Sequence, residues 1–259
     1  LGGDDGIAVA YALAIMDSPE IAHPRLEVVI TVDEEIGMLG ADSIDLSMLK
    51  GHKMLNIDSD EEGHFLTSCA GGMTVETSIP VSYITAEGLG AKLKVTGLCG
   101  GHSGSEINKE HANANIVMGR VLKSLMDQMQ FGLSNMEGGL KDNAIPRECT
   151  ADIVIEQADK ELLESAVKKL DQAFKAEYSV ADKDIKVELE FEDVVSKQVL
   201  SFTSLTKVIF YLRNVPNGVQ NMSQVMPGLV ETSLNAGILK LTEEKLNVIA
   251  SVRSSVSTR

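Results

Sequence analysis

The sequence predicts an α/β protein in two parts: a domain with a mixed or parallel sheet and helices, then an α+β domain on an antiparallel sheet. Three observations lead there. The runs RLEVVIT (25–31) and KMLNID (53–58) are nearly continuous in apolar residues, as in strands buried on both faces of a parallel sheet. Helix-forming or turn-rich segments alternate with them. Past residue 75 the pattern becomes strict apolar–polar alternation, the mark of an antiparallel sheet with one covered face. The expected boundaries are 1–74 and 75–259, the second part being incomplete at its C-terminus.

In order, residues 5–17 place Ile7, Ala8, Tyr11, Ala14 and Ile15 at helical spacing, and DSPE stops that helix with a proline. RLEVVIT is the first strand, and KMLNID follows a turn-rich segment containing SIDLSMLKG. Helix, strand, helix, strand is the α/β order. In the second part AKLKVTG, CTADIVIE, IKVELEFE and KLNVIASV are the alternating strands. Amphipathic helices are expected over 111–130, with Ile116, Val117, Val121, Leu125 and Met129 inward, and over 160–178, with Leu163, Val167, Leu170 and Phe174 inward. A third covers about 201–212. CGGHSGS, NMEGGLKDN and VPNGVQN connect these elements.

The 259 residues suffice for one large or two smaller domains, and two is the expectation. A net charge of −15 argues against nucleic acid and anionic membrane as partners. The longest apolar run, 6–16, is too short to span a bilayer. Cys69, Cys99 and Cys149 lie far apart and form no CxxC pair, so neither a disulfide framework nor a cysteine zinc site is expected, and a reducing cytoplasm fits. The chain opens on LGGDDG, starting with Leu1 and lacking a signal pattern, which reads as a fragment.

Carboxylates gather where the two expected parallel strands end. TVDEEIGMLGA sets Glu34 and Glu35 just past the first, and Asp58 ends the second. Ligands of open α/β sheets bind beyond those strand ends. Converging carboxylates repel unless protonated or neutralised, and a divalent metal is the economical solution. Taken alone, an acidic loop is more often solvated than a site. DSDEEG (58–63) resembles the start of a calcium loop, but its twelfth position would be Cys69 rather than Glu, so that reading fails. Gly2, Gly3 and Gly6 around Asp4 and Asp5 are also consistent with a plain turn before a helix.

In order along the chain, LGGDDGIAVA, TVDEEIGMLGA, NIDSDEEGHFLTSCAGG, GGHSGSEI, NAIPRE and VETSLNAG resemble the bacterial aminoacyl-histidine dipeptidases, the carnosinase-like branch of the co-catalytic zinc exopeptidases. The resemblance implies a partial di-metal catalytic domain plus an α+β lid. It implies two divalent ions, zinc first with manganese or cobalt as alternatives, and a small dipeptide as substrate. Asp4 matches the carboxylate bridging both metals, with Asp5 where asparagine is more usual. Glu34 matches the general base, Glu35 a ligand of one metal and Asp58 a ligand of the other. In the lid, His102 matches the histidine that stabilises the oxyanion, and Asn143 and Arg253 match residues that hold substrate. Arginine suits a bidentate grip on a carboxylate. Outside the resemblance, His102 reads as a solvated loop residue and Arg253 as a charge on an edge strand. His23, His52, His64 and His111 match nothing and are read as structural or solvated.

The resemblance also implies an early His-x-Asp motif and a late metal-binding histidine, and this sequence contains neither. Metal binding is therefore expected to be weakened and the chain by itself inactive. The leading expectation is metal-dependent hydrolysis of aminoacyl-histidine dipeptides. The alternatives are an N-acyl amino acid amidohydrolase or broader di- or tripeptidase, and a non-catalytic binding or dimerisation module. A homodimer is left open, as is whether His102 would serve its own site or a neighbour's.

Overall fold

A computed structural model describes residues 5–34, 37–58 and 62–258. The chain divides into two compact units, 1–67 and 68–259. That boundary lies before the expected 74/75, because β1 (Gly71–Pro80) is already paired along its whole length with β10 (Lys245–Ser254), from Gly71 opposite Ser254 to Pro80 opposite Lys245.

The first unit holds α1 (Gly6–Asp17) and α2 (Leu39–Ser43). Asp5 caps α1, its Oδ1 accepting the Ala8 N–H at 3.1 Å, which satisfies one of the unpaired amides at the helix start. The helix gives way at Ser18, whose extended backbone is what a residue before proline prefers. Its sequence, GIAVAYALAIMD, is apolar on every side, yet none of its residues is buried. The same holds throughout: no described residue of 5–67 is buried. The two strands expected at 25–31 and 53–58 are not formed. Among the described residues these runs pair with nothing, and without a ladder partner the backbone donors and acceptors have no reason to adopt strand geometry. The first run is held instead by Glu27, whose Oε2 accepts the N–H groups of Lys50 and Gly51 at 2.9 and 2.7 Å. These two amides hold its carboxyl below the usual range.

The second unit is α+β. Between β1 and β10 it contains β2 (Tyr83–Thr96), β3 (Gly101–His102), α3 (Ala114–Met126), β4 (Gly132–Gly138), β5 (Ala144–Ile145), β6 (Cys149–Ile155), α4 (Lys160–Glu177), β7 (Lys186–Leu200), α5 (Phe202–Asn214), β8 (Gly218–Met222) and β9 (Val230–Leu241). An eight-stranded antiparallel sheet runs β1-β10-β9-β4-β6-β2-β7, with β8 added alongside β9. The alternation in the sequence sets its faces. Leu89, Ala91, Leu93 and Val95 of β2 are buried, while the intervening Lys92 and Lys94 reach across strands to Asp152 at 3.4 Å and Glu190 at 2.7 Å.

The three helices supply the other side of one continuous core. Val117, Val121 and Leu125 of α3, Leu163, Val167 and Phe174 of α4, and Val208, Ile209 and Leu212 of α5 join the β2 residues in it. Burying a side chain of this size contributes about 1.5–3 kcal/mol. The helix expected over 111–130 is shorter at both ends: Asn113 caps α3 by accepting from the N–H groups of Asn115 and Ile116, and the helix stops at Met126, leaving Met129 packed from the turn beyond it. α3 and α5 cross at Gly119, where a Cβ would lie 2.6 Å from the Leu212 Cβ, so a larger residue would force the helices apart.

Candidate functional site

Three of the residues singled out in the sequence meet in the second unit. The chain enters the GGHSG loop through Gly100 and Gly101, with φ of 70° and 134°, a backbone only glycine adopts without strain. It then makes the short strand β3, paired with β5 so that His102 faces Ala144 and Gly101 faces Ile145. The Ser103 N–H donates to the Asn143 carbonyl at 2.8 Å. The two short motifs GGHSG and NAIPRE are thereby zipped together, and His102 and Asn143 emerge side by side, both exposed.

Arg253, near the end of β10, lies opposite Gly72 of β1 and Ser233 of β9. It reaches the same loop at Gly104, where a Cβ would stand 3.0 Å from His102 Cε1 and 3.2 Å from Arg253 Cζ and Nε. The missing side chain is what lets imidazole and guanidinium approach. Arg253 Nε and Ser103 Oγ are buried with no hydrogen-bond partner among the described residues. Such groups are costly to leave unmet, so each calls for a partner from outside the described residues or for a role that justifies it.

The loop also sets which ring nitrogen of His102 carries the proton. Nδ1 lies 3.2 Å from the N–H groups of both Gly104 and Ser105, and 3.3 Å from Ser105 Oγ. A backbone N–H only donates, so Nδ1 is the acceptor and the proton of the neutral ring sits on Nε2. The His102 N–H donates to Glu106 Oε2 at 2.8 Å, and the other Glu106 oxygen pairs with Lys109 at 2.6 Å. Lys109 first, then the His102 amide, hold the Glu106 carboxyl below its ordinary range.

Behind Asn143 stands a residue that sequence reasoning did not assign. Asn235, buried on β9, donates through Nδ2 to the carbonyls of Asp142 and Ala144, both at 2.8 Å, gripping the backbone on either side of Asn143. Its Oδ1 accepts from Asn113 Nδ2 at 3.2 Å, and Asn113 also donates to Asn217 Oδ1 at 3.1 Å. A cavity of about 250 Å³ opens beside this network, lined by Asn217, Asn235, His111, Ile107, Ile145 and Val219 among others. VETSLNAG marked Asn235 as part of a motif, but only the fold reveals what it grips.

The carboxylates fare differently. Asp4 and Glu35 lie outside the described residues. Glu34 sits in a turn where its carbonyl accepts from the N–H groups of Gly37 and Met38 at 3.1 and 2.9 Å, between left-handed Asp33 (φ 58°) and Met38 (φ 57°). Non-glycine residues hold that conformation at a cost, and it concentrates at functional turns. Glu34 and Asp58 are both exposed, and among the described residues neither joins a cluster of three metal-ligating side chains. Of the four acids only Glu34 and Asp58 are described, and among the described residues no further metal-ligating side chains converge on either. The cluster that does form is Cys99, His111 and Asp182.

Comparison with known proteins gives the class first. Residues 93–182 match the peptidase dimerisation domain family. Over its full length the chain is 34% identical to the cytosol non-specific dipeptidase of Escherichia coli (strain K12), covering 53% of that protein. It likewise matches the crystal structure of the aminoacylhistidine dipeptidase from Vibrio alginolyticus with a TM-score of 0.80 at 34% identity, covering all of this chain and 53% of that one. An uncharacterized Bacillus subtilis protein, YqjE, is 26% identical over 200 residues, 74% of this chain and 49% of its own. The likeness carried by the six motifs thus extends along the whole chain, which is similar to the aminoacylhistidine dipeptidase of Vibrio alginolyticus from end to end. The chain spans about half the length of these relatives.

Proposed function

We propose that this chain is part of a metal-dependent dipeptidase acting on aminoacyl-histidine dipeptides, with 68–259 carrying the residues that grip the substrate. The observation carrying this reading is that Arg253, from β10, reaches the zipped pair of loops that carries His102 and Asn143. Each supplies what a dipeptide requires. The Nε2–H of His102 is a donor for the oxyanion of a tetrahedral intermediate, a contribution typically worth about 3 kcal/mol. The Arg253 guanidinium suits the terminal carboxylate, and the Asn143 amide offers both a donor and an acceptor to the peptide. Glu34 is the carboxylate that would take a proton from the attacking water and pass it to the leaving amine. Two divalent ions, zinc first, belong to this reading through Asp4, Glu35 and Asp58, although the described acids form no cage for them. A dipeptide substrate draws support from both 34%-identical relatives, a non-specific dipeptidase and an aminoacylhistidine dipeptidase, and the histidine preference from the second alone. The cytosolic setting draws on the first of them, and among the described residues no helix is long and apolar enough to cross a membrane.

The test is a titration of the chain with β-alanyl-histidine followed by NMR. The His102 ring and Gly104 amide signals are expected to shift, and Arg253→Lys to weaken the response about tenfold by removing the bidentate grip. A response to N-acetyl amino acids but not to unprotected dipeptides favours an amidohydrolase, and no response to either overturns the reading. Hydrolysis by the 259-residue chain itself is expected to be undetectable, since its sequence holds no His-x-Asp motif. Turnover abolished by Glu34→Gln would refute that expectation. The match of residues 93–182 to a dimerisation domain supports a second reading, self-association without catalysis. A concentration-dependent dimer that ignores dipeptides would favour it.

A further inference from the structure

Asp182 lies between α4 and β7 and is fully buried. Its Oδ1 accepts the N–H of Cys99 and its Oδ2 the N–H of Ala112, both at 2.7 Å. One carboxylate therefore ties together the loop before β3 and the approach to α3. Cys99 and His111, at these two attachment points, are delivered to the same place. His111 Nδ1 stands 3.7 Å from Asp182 Oδ2 and 3.0 Å from the Ala181 carbonyl oxygen, and Cys99 Sγ stands 3.4 Å from that same oxygen. The thiol, imidazole and carboxylate ligand atoms all fall within 4.8 Å of one another.

We propose that Cys99, His111 and Asp182 form a binding site for one thiophilic divalent cation such as zinc, separate from any catalytic metals. Tetrahedral coordination with Zn–N, Zn–O and Zn–S bonds of about 2.0–2.3 Å places ligand atoms about 3.3–3.7 Å apart. The His111 Nδ1 to Asp182 Oδ2 separation of 3.7 Å already meets that spacing, the Ala181 carbonyl oxygen stands 3.0 Å from Nδ1 and 3.4 Å from Cys99 Sγ, and the sulfur, within 4.8 Å of both other ligand atoms, closes by up to about an ångström through rotation of its exposed side chain. One sulfur, one nitrogen and one carboxylate oxygen are the donors zinc prefers, and the Ala181 carbonyl or a water completes the fourth position. Cys99 is exposed while Asp182 is buried, so an ion has a way in and a fixed anion waiting at the bottom. The second oxygen lone pairs of Asp182 are free for this, because each amide uses only one.

Without a metal the same atoms form a hydrogen-bonded tie, His111 and Cys99 both donating to the Ala181 carbonyl. Burial, with Asp182 and Asp184 adding to it, raises the Cys99 thiol above its ordinary range, against a smaller opposing effect of Arg147. The thiol is then protonated at neutral pH. A cation entering the site displaces the Cys99 proton to solvent, forming the metal–thiolate bond, and takes the lone pair of His111 Nδ1, leaving the ring proton on Nε2.

The site does not depend on the dipeptidase reading, and its test needs no turnover. Cobalt(II) chloride is titrated into the 259-residue chain while the near-ultraviolet spectrum is recorded. The expected result is a sulfur-to-cobalt charge-transfer band saturating at one ion per chain, kept in Cys69→Ser and lost in Cys99→Ser. No carboxylate site can produce that band. His111→Gln is expected to weaken cobalt binding about tenfold or more while leaving the far-ultraviolet circular dichroism unchanged. Cobalt should also shield Cys99, located by mass spectrometry, from iodoacetamide. Absence of the band, its survival in Cys99→Ser, or undiminished alkylation of Cys99 at saturating cobalt overturns the proposal.

Discussion

At His102, backbone amides rather than side chains decide what the ring can do. With Gly104 and Ser105 both donating to Nδ1, the ring offers Nε2–H outward. The sequence singled out His102 by its motif, but the tautomer follows from a turn only two residues long. Glu106 steadies that turn from the other side, and its role has a pH signature. Its folded pKa is depressed, so its contribution to stability is complete above the ordinary glutamate value and lost as pH falls through the lower, folded value. A stability difference between the native chain and Glu106→Gln is therefore expected at pH 7, closing only in acid. Urea midpoints of the two across that range would check it, and a difference unchanged into acid would count against the assigned ion pair and amide bond.

Between elements, the decisive link is from β9 to the loop ahead of β5. Asn235 is 1% exposed and makes two bonds to the carbonyls flanking Asn143. Asn235→Ala would strand those carbonyls and the Asn113 amide in a buried place, where each unmet group costs about 1–3 kcal/mol. A loss of roughly 2–4 kcal/mol in urea unfolding is expected, together with weakened dipeptide binding even though Asn235 itself faces inward. Unchanged binding would mean that Asn143 holds its place without this grip. The alternating strands were legible because alternation is a local property that one covered face imposes: β2, β6, β7 and β10 lie where AKLKVTG, CTADIVIE, IKVELEFE and KLNVIASV put them. The same logic misled at 25–31 and 53–58. Continuous apolar runs announce burial, yet burial needs other elements to supply the covering surface.

For the whole molecule, that asymmetry separates the two units. Every buried residue among those described belongs to 68–259, so nearly all the apolar burial that stabilises a fold resides there. A chain comprising 68–259 alone is expected to unfold in urea with the midpoint of the full chain, within experimental error. A large drop in midpoint would show that 1–67 contributes stability to the second unit. The apolar α1 carries the composition typical of a buried helix, yet Tyr11 is 53% and Leu13 58% exposed.

By itself the sequence determined the α+β character of the second unit, the positions of β2, β6, β7 and β10 and of its three helices, and the likeness to aminoacylhistidine dipeptidases, because alternation, helical spacing and short motifs are written in neighbouring residues. It also named His102, Asn143 and Arg253, which lie up to 151 positions apart, without any means of showing that they meet. Only the tertiary structure decided that they do, through the β3–β5 pairing and the bare backbone of Gly104. It alone turned Asn235 from a motif letter into a clamp, and brought Cys99 and His111 together beside the buried Asp182. The physical reason is common to all of these: a hydrogen bond or a coordination site depends on distance in space, and distance in space between remote residues is fixed by packing, which no local pattern encodes.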